Sequence, residues 1–187
     1  MIELSGKPKL VGGKVILRPF VESDFPFIEE CLKDPELLKL TGSEPAYNRE
    51  TVLQWYATRN AQTDRLDLAI IDPVQGFLVG EVVANSYEAE NERMNFRIMI
   101  GPRGRNRGLG TEATQLFIDY LFAHTPLRKI TLSVFEFNPR AKHVYEKIGF
   151  VECGVEKEEL EFEGQWIDSI LMSLTREVWQ ERQRKAE

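Results

Sequence analysis

A segment rich in arginine and glycine lies between a strand pattern and a helix pattern. It reads Gly101-Pro102-Arg103-Gly104-Arg105-Asn106-Arg107-Gly108-Leu109-Gly110-Thr111. A helix that begins near Gly108 has unpaired backbone N–H groups and the positive end of its dipole in the first turn. Glycines let a ligand approach the backbone closely, and the three arginines add positive charge. The segment therefore predicts an anion site suited to a pyrophosphate group.

Three kinds of phosphate-binding loop could use such a segment. A P-loop requires GxxxxGK[ST], and the chain has no Lys-Ser or Lys-Thr pair. A dinucleotide fold requires GxGxxG or GxGxxA, which 108–113 matches, and Glu136 could bind the ribose. However, the arginines separate these glycines from their strand, and the repeated βαβ pattern of that fold is missing. A plain glycine-bearing loop with solvated arginines also remains open.

Two motifs favour the third kind of loop. Residues 105–110 fit R/Q-x-x-G-x-G/A, and residues 138–150, NPRAKHVYEKIGF, fit N-x-x-A-x-x-x-Y-x-K-x-G-F. In this order and spacing, the first segment resembles the acetyl-CoA signature of the GNAT superfamily of N-acetyltransferases, and the second segment resembles the second motif of that family. The opening Leu17-Arg18-Pro19 with Asp24, and 164–168 near the end, resemble the branch that contains ribosomal-protein amino-terminal acetyltransferases. That branch also resembles polyamine and aminoglycoside acetyltransferases, and the resemblance covers about 14–175.

The resemblance implies acetyl-CoA as co-substrate and a GNAT fold whose central strand pair splays apart. The strand before the loop would pair with the pantetheine arm, and the loop backbone would hold the pyrophosphate. Asn138 and its helix would line the far side of the thioester. The implied cofactor-binding residues are Ile98, Met99, Ile100, Arg103, Arg105, Asn106, Arg107, Gly108, Leu109, Gly110, Thr111, Asn138 and Ala141.

Tyr145 of the second motif is the candidate general acid. Acetyl transfer expels a thiolate, and a thiol has a pKa near 8.5 whereas tyrosine has one near 10, so the phenol is protonated and able to donate. A purely structural role also fits, because Tyr145 falls on the apolar face of its helix with Ala141, Val144 and Ile148.

Glu81, in the strand expected to pair with the cofactor strand, is the candidate general base. A lysine-like amine is neutral in only about one molecule in 2,500 at pH 7, so such an amine needs a base more than a protein N-terminus does. A solvated or salt-bridged strand carboxylate is the plain alternative. Many GNAT relatives carry a glutamate where Asn95 stands here. Asp168 and the glutamates between 156 and 163 could attract a cationic substrate, or form a solvated hairpin face.

Strands and helices that would position these residues are indicated by periodicity. Strands are expected at 15–20, 66–71, 77–87, 92–100, 130–134 and 167–174. Helices are expected after Ser23-Asp24, at 50–60, at 108–123 and from Asn138 to Gly149. With crossovers in the second half, this order predicts a mixed α/β (α+β) sheet in a single domain over 1–187.

Composition excludes several classes of protein. The chain has 187 residues, 42% of them hydrophobic, and a net charge of −6, which argues against a nucleic-acid partner. Two separated cysteines and two histidines make a metal site unexpected. No apolar run could span a membrane, and no secretory signal opens the chain, so we expect a cytoplasmic protein. We predict an N-acetyltransferase acting on a primary amine, with a ribosomal-protein N-terminus as one candidate, as a monomer or homodimer. The alternatives are a dinucleotide-dependent oxidoreductase and a non-catalytic CoA-binding module.

Overall fold

The computed structural model describes residues 2–44 and 48–186 and contains one eight-stranded sheet flanked by helices. The strands are β1 (Leu10–Val11), β2 (Ile16–Arg18), β3 (Leu66–Ile71), β4 (Leu78–Glu88), β5 (Arg93–Ile100), β6 (Lys129–Phe135), β7 (Val151–Phe162) and β8 (Gln165–Thr175). The helices are α1 (Phe25–Leu32), α2 (Pro35–Thr41), α3 (Arg49–Arg59), α4 (Leu109–His124), α5 (Pro139–Ile148) and α6 (Arg176–Ala186).

The sheet runs in the order β1-β2-β3-β4-β5-β6-β8-β7 and is antiparallel except for the central pair of β5 and β6. This arrangement confirms the predicted mixed α/β class. It also removes the oxidoreductase alternative, because a dinucleotide-binding sheet is built from repeated parallel βαβ units.

Two hydrophobic clusters cover opposite faces of the sheet. Helices α4 and α5 pack on one face, in a cluster that includes Phe96, Phe117 and Ile148. The other face buries α1, α2 and α3 through Ile28, Leu37 and Tyr56. The helices that carry the two sequence motifs therefore lie on one face, and the helices of the N-terminal half lie on the other.

Two helices were not predicted from the sequence. Helix α2 begins after Asp34, whose side chain accepts the N–H of Leu37 at 2.8 Å, and it ends at Gly42 with φ of 63°. Asp-Pro and Gly are ordinary start and stop signals, so α2 could have been found from them. Helix α6 has no fully buried residue and is mostly polar, so no apolar periodicity in the sequence predicted it.

Candidate active site

A split opens between β5 and β6, the two central strands. Their parallel register covers only Arg93 with Lys129 through Asn95 with Thr131. Strand β5 continues to Ile100 alongside β4, while β6 continues to Phe135 alongside β8. The central strands therefore diverge, and the inner edge of β5 beyond Asn95 is not paired with β6.

The backbone of β5 points into this split at alternate residues. The N–H of Gly101 donates to the carbonyl of Val79 on β4 at 2.8 Å. Because pairing alternates along an antiparallel ladder, the N–H and C=O of Met99 also face β4, whereas those of Ile98 and Ile100 face the split. Of the three residues expected to pair with the pantetheine arm, Ile98 and Ile100 thus present backbone groups to the split. Met99 instead packs its side chain into the α1–α3 face.

Gly80 on β4 lets the two strands approach closely beside the split. A Cβ at this position would collide with the carbonyl oxygen of Met99. The register of β3 with β4 also shifts next to Gly80. A glycine is therefore required where the cofactor strand meets its neighbour.

The loop after β5 ends in an uncapped helix N-terminus. Gly108, at the N-cap of α4, adopts a left-handed conformation with φ of 73° and has no side chain to cap the helix. The N–H groups of Leu109, Gly110 and Thr111 in the first turn therefore have no helical acceptor. A Cβ at Gly110 would stand 3.3 Å from Cγ1 of Ile100, so this turn lies against the end of β5. The geometry is that of an anion site at the mouth of the split.

The three loop arginines are engaged by carboxylates of other elements. The pairs are Arg103 with Glu30 at 2.9 Å, Arg105 with Asp34 and with Glu36 at 3.0 Å, and Arg107 with Asp72 at 2.7 Å. Asn106, with φ of 61°, accepts a hydrogen bond from Arg140 of α5. These contacts fasten the loop to α1, α2, the end of β3 and α5. The guanidinium groups thus have a structural use beside the cofactor role expected from the sequence.

Helix α5 carries the second motif and has the predicted ends. The side chain of Asn138 accepts the N–H of Ala141 at 3.2 Å, with Pro139 at the first helical position. Gly149 ends the helix with φ of 117°. The cap fixes the orientation of α5 against the sheet and places Tyr145 on its inner face.

Tyr145 lies at the point where the central strands separate. Its ring packs edge-on against Phe96, at 6.4 Å between centroids, and Phe96 directly follows the last residue of β5 that pairs with β6. Only 9% of Tyr145 is exposed, and no hydrogen bond to its hydroxyl occurs within residues 2–44 and 48–186. Burial raises the pKa of Tyr145 to about 12, above the value near 10 assumed from the sequence, so the phenol stays protonated at any physiological pH.

Glu81 lies in β4 opposite Met99 of β5 and Ala69 of β3. Its Oε2 atom is buried and has no hydrogen-bond partner among the described residues. Burial is the largest influence and raises the pKa of Glu81 to about 7, although the Tyr56 hydroxyl beside it acts in the opposite direction. A carboxyl group with this pKa can both accept and release a proton near pH 7.

Glu81 and Tyr145 belong to opposite faces of the sheet. Side chains alternate along a strand, and the register partners of Glu81 both belong to the cluster under α1–α3. Tyr145 packs with Phe96 in the cluster under α4 and α5. The split between β5 and β6 connects these faces, so a reacting group within it could be approached from both.

Tyr56 of α3 is the residue of this site that sequence reasoning missed. It is 5% exposed, and its ring packs against Phe20 at 5.2 Å beside Glu81. Burial and the nearby Glu81 carboxylate together hold the pKa of Tyr56 well above its usual value, so it remains a neutral donor. Helix α3 is only weakly amphipathic, and no motif marks this position.

Asp168, predicted as a substrate contact, is held within the β7–β8 hairpin. Its carboxylate accepts from Nζ of Lys157 at 2.6 Å and from the N–H of Glu158 at 2.9 Å. Lys157 is the main reason that the pKa of Asp168 is lowered. A role for Asp168 in substrate binding stays a prediction.

Metal-binding clusters and membrane-spanning helices are both missing from residues 2–44 and 48–186. No group of three or more His, Cys, Asp or Glu side chains in this part of the chain is arranged to hold a metal ion. None of its helices combines the length and apolar character needed to cross a bilayer.

Comparison with known proteins agrees with this geometry. The family model for the acetyltransferase (GNAT) domain matches residues 14–151. Spermidine N(1)-acetyltransferase of Escherichia coli K12 is 28% identical over 161 residues, which cover 86% of this chain and 85% of that protein. A putative ribosomal N-acetyltransferase of Bacillus subtilis is 23% identical and covers 71% of both chains. Alpha/beta-tubulin-N-acetyltransferase 9 of mouse is 27% identical over 82% of this chain and 68% of that protein.

A solved structure shows the same fold. Spermidine N-acetyltransferase from Vibrio cholerae, in complex with CoA and spermine, superposes with a TM-score of 0.82 at 25% identity, covering 90% of this chain and 99% of that one. The resemblance found in the two motifs is therefore confirmed: the chain belongs to the GNAT acetyltransferase family and is an acetyl-CoA-dependent N-acetyltransferase.

Proposed function

We propose that this enzyme acetylates a primary aliphatic amine of the polyamine class, with Glu81 as general base and Tyr145 as general acid. The observation that carries the proposal is the buried Glu81 carboxylate. Its Oε2 lacks a partner among the described residues, and its pKa is raised to about 7. The Tyr56 hydroxyl stands beside this carboxyl group, so the buried Oε2 oxygen is the atom left for a further partner. A buried oxygen without a hydrogen bond costs stability, which suggests that this further partner is the substrate.

The pairing of charges on the α1–α3 face leaves Glu81 open to a cationic substrate. Other acidic side chains there are already paired with arginines of the same chain. The pairs are Asp24 with Arg18, Glu30 with Arg103, Asp34 with Arg105 and Asp67 with Arg65. Glu81 has no ion-pair partner within 4.0 Å in the described part of the chain. An ammonium group that enters from this face would therefore meet an available carboxylate.

The pKa of Glu81 suits an amine of high pKa. A lysine-like primary amine, with a pKa of about 10.4, enters the site protonated and must lose a proton before it can attack. Glu81 can accept this proton near neutral pH and pass it to solvent. A protein α-amine, with a pKa near 7.8, is already partly neutral and needs the base less.

The residues around the split fit acetyl-CoA, which supplies an activated acetyl thioester when bound. The first-turn N–H groups of α4 and the loop backbone from Arg105 would hold its pyrophosphate. The free backbone groups of Ile98 and Ile100 would pair with its pantetheine arm, and Asn138 and Ala141 would line the other side. Gly108 and Gly110 keep side chains out of this path.

Each catalytic group then has one task. Glu81 takes a proton from the amine on the α1–α3 face. The backbone N–H at Ile100 faces the split and would stabilise negative charge on the acetyl oxygen. Tyr145 donates its proton to the leaving thiolate from the α5 face. The placement of the two residues on different faces suits a direct transfer, because the amine adds to the thioester carbonyl from one side and the thiolate leaves the tetrahedral intermediate from another position, where a separate acid is needed.

A protein N-terminus is the second candidate substrate. The relatives from Bacillus subtilis and mouse are named for ribosomal and tubulin acetylation, at 23% and 27% identity. Acetylation of a ribosomal-protein N-terminus stays a prediction. So do a cytoplasmic location, a single domain over 1–187, and a monomer or homodimer as the oligomeric state.

A substrate panel tests the proposal. Acetyl-CoA consumption would be measured with spermidine, spermine, an aminoglycoside and an N-terminal ribosomal peptide, using wild-type protein and Glu81→Gln. We expect the highest kcat/KM for a polyamine and a large loss in Glu81→Gln. Higher kcat/KM for the peptide, unchanged in Glu81→Gln, would replace the polyamine proposal with the protein N-terminus.

A further inference from the structure

We propose that Lys14, in the turn between β1 and β2, binds the pyrophosphate of acetyl-CoA and supplies the positive side chain of the phosphate site. The inference rests on the cofactor site proposed above. Lys14 belongs to neither of the two sequence motifs. Its Nζ stands 3.2 Å from the point where a Cβ at Gly108 would lie. The ammonium group is therefore next to Gly108, the N-cap of α4, beside the first helical turn with its unpaired backbone N–H groups.

Glu112 holds Lys14 in this place. The Glu112 carboxylate, in the first turn of α4, accepts the N–H of Gly13 at 3.0 Å, of Lys14 at 2.6 Å and of Val15 at 2.8 Å. The turn wraps so closely around this helix that a Cβ at Gly12 would lie 2.7 Å from Glu112 Oε2. The three hydrogen bonds dock the N-terminal turn onto α4 and fix the backbone from which the lysine extends.

The same hydrogen bonds remove an electrostatic conflict. A carboxylate in the first turn of a helix would repel a phosphate bound at that helix N-terminus. Three N–H donors partly neutralise the Glu112 carboxylate and direct it toward the β1–β2 turn. Lys14 then adds a positive charge beside Gly108. Glu112, an acidic residue near the phosphate site, thus positions the backbone of Lys14, a basic residue.

The loop arginines do not provide this charge as directly. Each of Arg103, Arg105 and Arg107 is paired with a carboxylate on the side of α1, α2 or β3. By contrast, Lys14 has no carboxylate within ion-pair distance among residues 2–44 and 48–186. An unpaired ammonium group loses no existing ion pair when it binds an anion, so it is the more available cation.

Isothermal titration of the full-length protein with CoA tests the inference. Lys14→Met should raise the Kd about tenfold, the loss expected for one charge-assisted hydrogen bond at an exposed site. Lys14→Arg should stay within about threefold of wild type, because the charge is kept. Lys9→Met removes an exposed lysine earlier in the same N-terminal segment and should leave the Kd unchanged. The unliganded Tm of all three variants should match that of the wild type.

Ligand and salt series locate the contact. The loss in Lys14→Met should be the same for CoA and for 3′-dephospho-CoA, since both contain the pyrophosphate. Raising NaCl from about 50 to about 500 mM should weaken binding to the wild type more than to Lys14→Met. A Lys14→Met protein that binds CoA as tightly as the wild type would overturn the inference, and a loss seen only with CoA would overturn the pyrophosphate assignment. A wild-type protein that does not bind CoA would instead contradict the cofactor site itself.

Discussion

The guanidinium group of Arg107 meets the buried carboxylate of Asp72 at 2.7 Å and so ties the cofactor loop to the turn between β3 and β4. Asp72 is 1% exposed and also accepts the N–H of Val74 at 2.9 Å. Burial alone would raise its pKa, yet Arg107 and the turn N–H groups hold the pKa below its usual value. A residue expected from the sequence to meet phosphate thus has a partner inside the protein.

Arg107→Met and Asp72→Asn should weaken CoA binding to a similar extent if the pair positions the loop. Each change removes a charge-assisted hydrogen bond and should also lower the free energy of unfolding by about 1–3 kcal/mol. The double variant should cost less than the sum of the single ones, because both act on one contact. Calorimetric Kd values and urea unfolding would measure this. Full CoA affinity in Asp72→Asn together with a large loss in Arg107→Met would show that Arg107 binds the cofactor directly.

Gly108→Asp should abolish CoA binding, because it places a carboxylate beside the expected pyrophosphate and strains a backbone with φ of 73°. Gly164→Asp provides a matched control: Gly164 lies in the β7–β8 hairpin with φ of 77°, and a Cβ added there would meet no atom within 4 Å. Both variants should lose about 1–2 kcal/mol of stability from the left-handed conformation. Only Gly108→Asp should lose the thermal shift that CoA gives the wild type. An equal CoA-induced thermal shift in both variants would show that the loop has a structural role and does not bind the pyrophosphate.

Gly110→Asp should also abolish CoA binding while the protein still folds. Its first side-chain atom would stand 3.3 Å from Ile100 Cγ1, and the carboxylate would occupy the first turn of α4. Gly110→Ala separates the two effects, since it adds the same Cβ without the charge. Titration with CoA should give a small loss for alanine and no measurable binding for aspartate. Comparable affinity in the aspartate variant and the wild type would contradict the anion site.

Glu81→Gln should remove the break near pH 7 from the pH profile of kcat with a polyamine. Above this pH the carboxylate is ionised and accepts a proton; below it the group is neutral, so the wild-type rate falls as pH decreases. We expect the variant to lose about 10²–10⁴-fold in kcat above pH 7. Its profile should show no inflection near pH 7. A wild-type profile without that inflection would remove Glu81 as the base.

The same substitution should stabilise the protein at alkaline pH. The pKa of Glu81 is raised from 4.5 to about 7 on folding, so the folded protein binds the proton more tightly than the unfolded chain. Stability is therefore highest below about pH 4.5 for this group and falls as pH rises through about 7. Glutamine cannot ionise, and Glu81→Gln should gain up to about 3 kcal/mol over the wild type at pH 8 but little at pH 5. Urea unfolding at the two pH values measures the difference; an equal difference at both would contradict the raised pKa.

Tyr145→Phe should lower kcat about 10²-fold with the affinity for CoA nearly intact. The hydroxyl has no hydrogen-bond partner in the described part of the chain, so the free energy of unfolding should fall by less than about 1 kcal/mol. Because the pKa of Tyr145 is about 12, the wild type should show no loss of rate from this phenol between pH 6 and 10. Tyr120→Phe, which removes a hydroxyl from a ring stacked on His124 at 4.5 Å, is the control. Equal rates in Tyr145→Phe and the wild type would leave proton delivery to water.

Local features of the chain were predictable from sequence because they depend on neighbouring residues. Alternating apolar residues predicted strand β6, and Asn138 with Pro139 predicted the start of α5. The glycines around the start of α4 indicated a close approach to an anion. Two motifs in order then pointed to the family, and the family implied both acetyl-CoA and the split sheet.

Contacts between distant residues were decided by the tertiary structure. No sequence spacing indicates that Arg107 meets Asp72, that Glu112 holds the turn around Lys14, or that Tyr56 lies beside Glu81. The raised pKa of Glu81 depends on burial beneath helices that come from other parts of the chain. Side-chain alternation along a strand is local, but which face receives which helix depends on the packing of the whole sheet. That packing put Glu81 and Tyr145 on opposite faces of the split, where charge, burial and access could differ for the base and the acid.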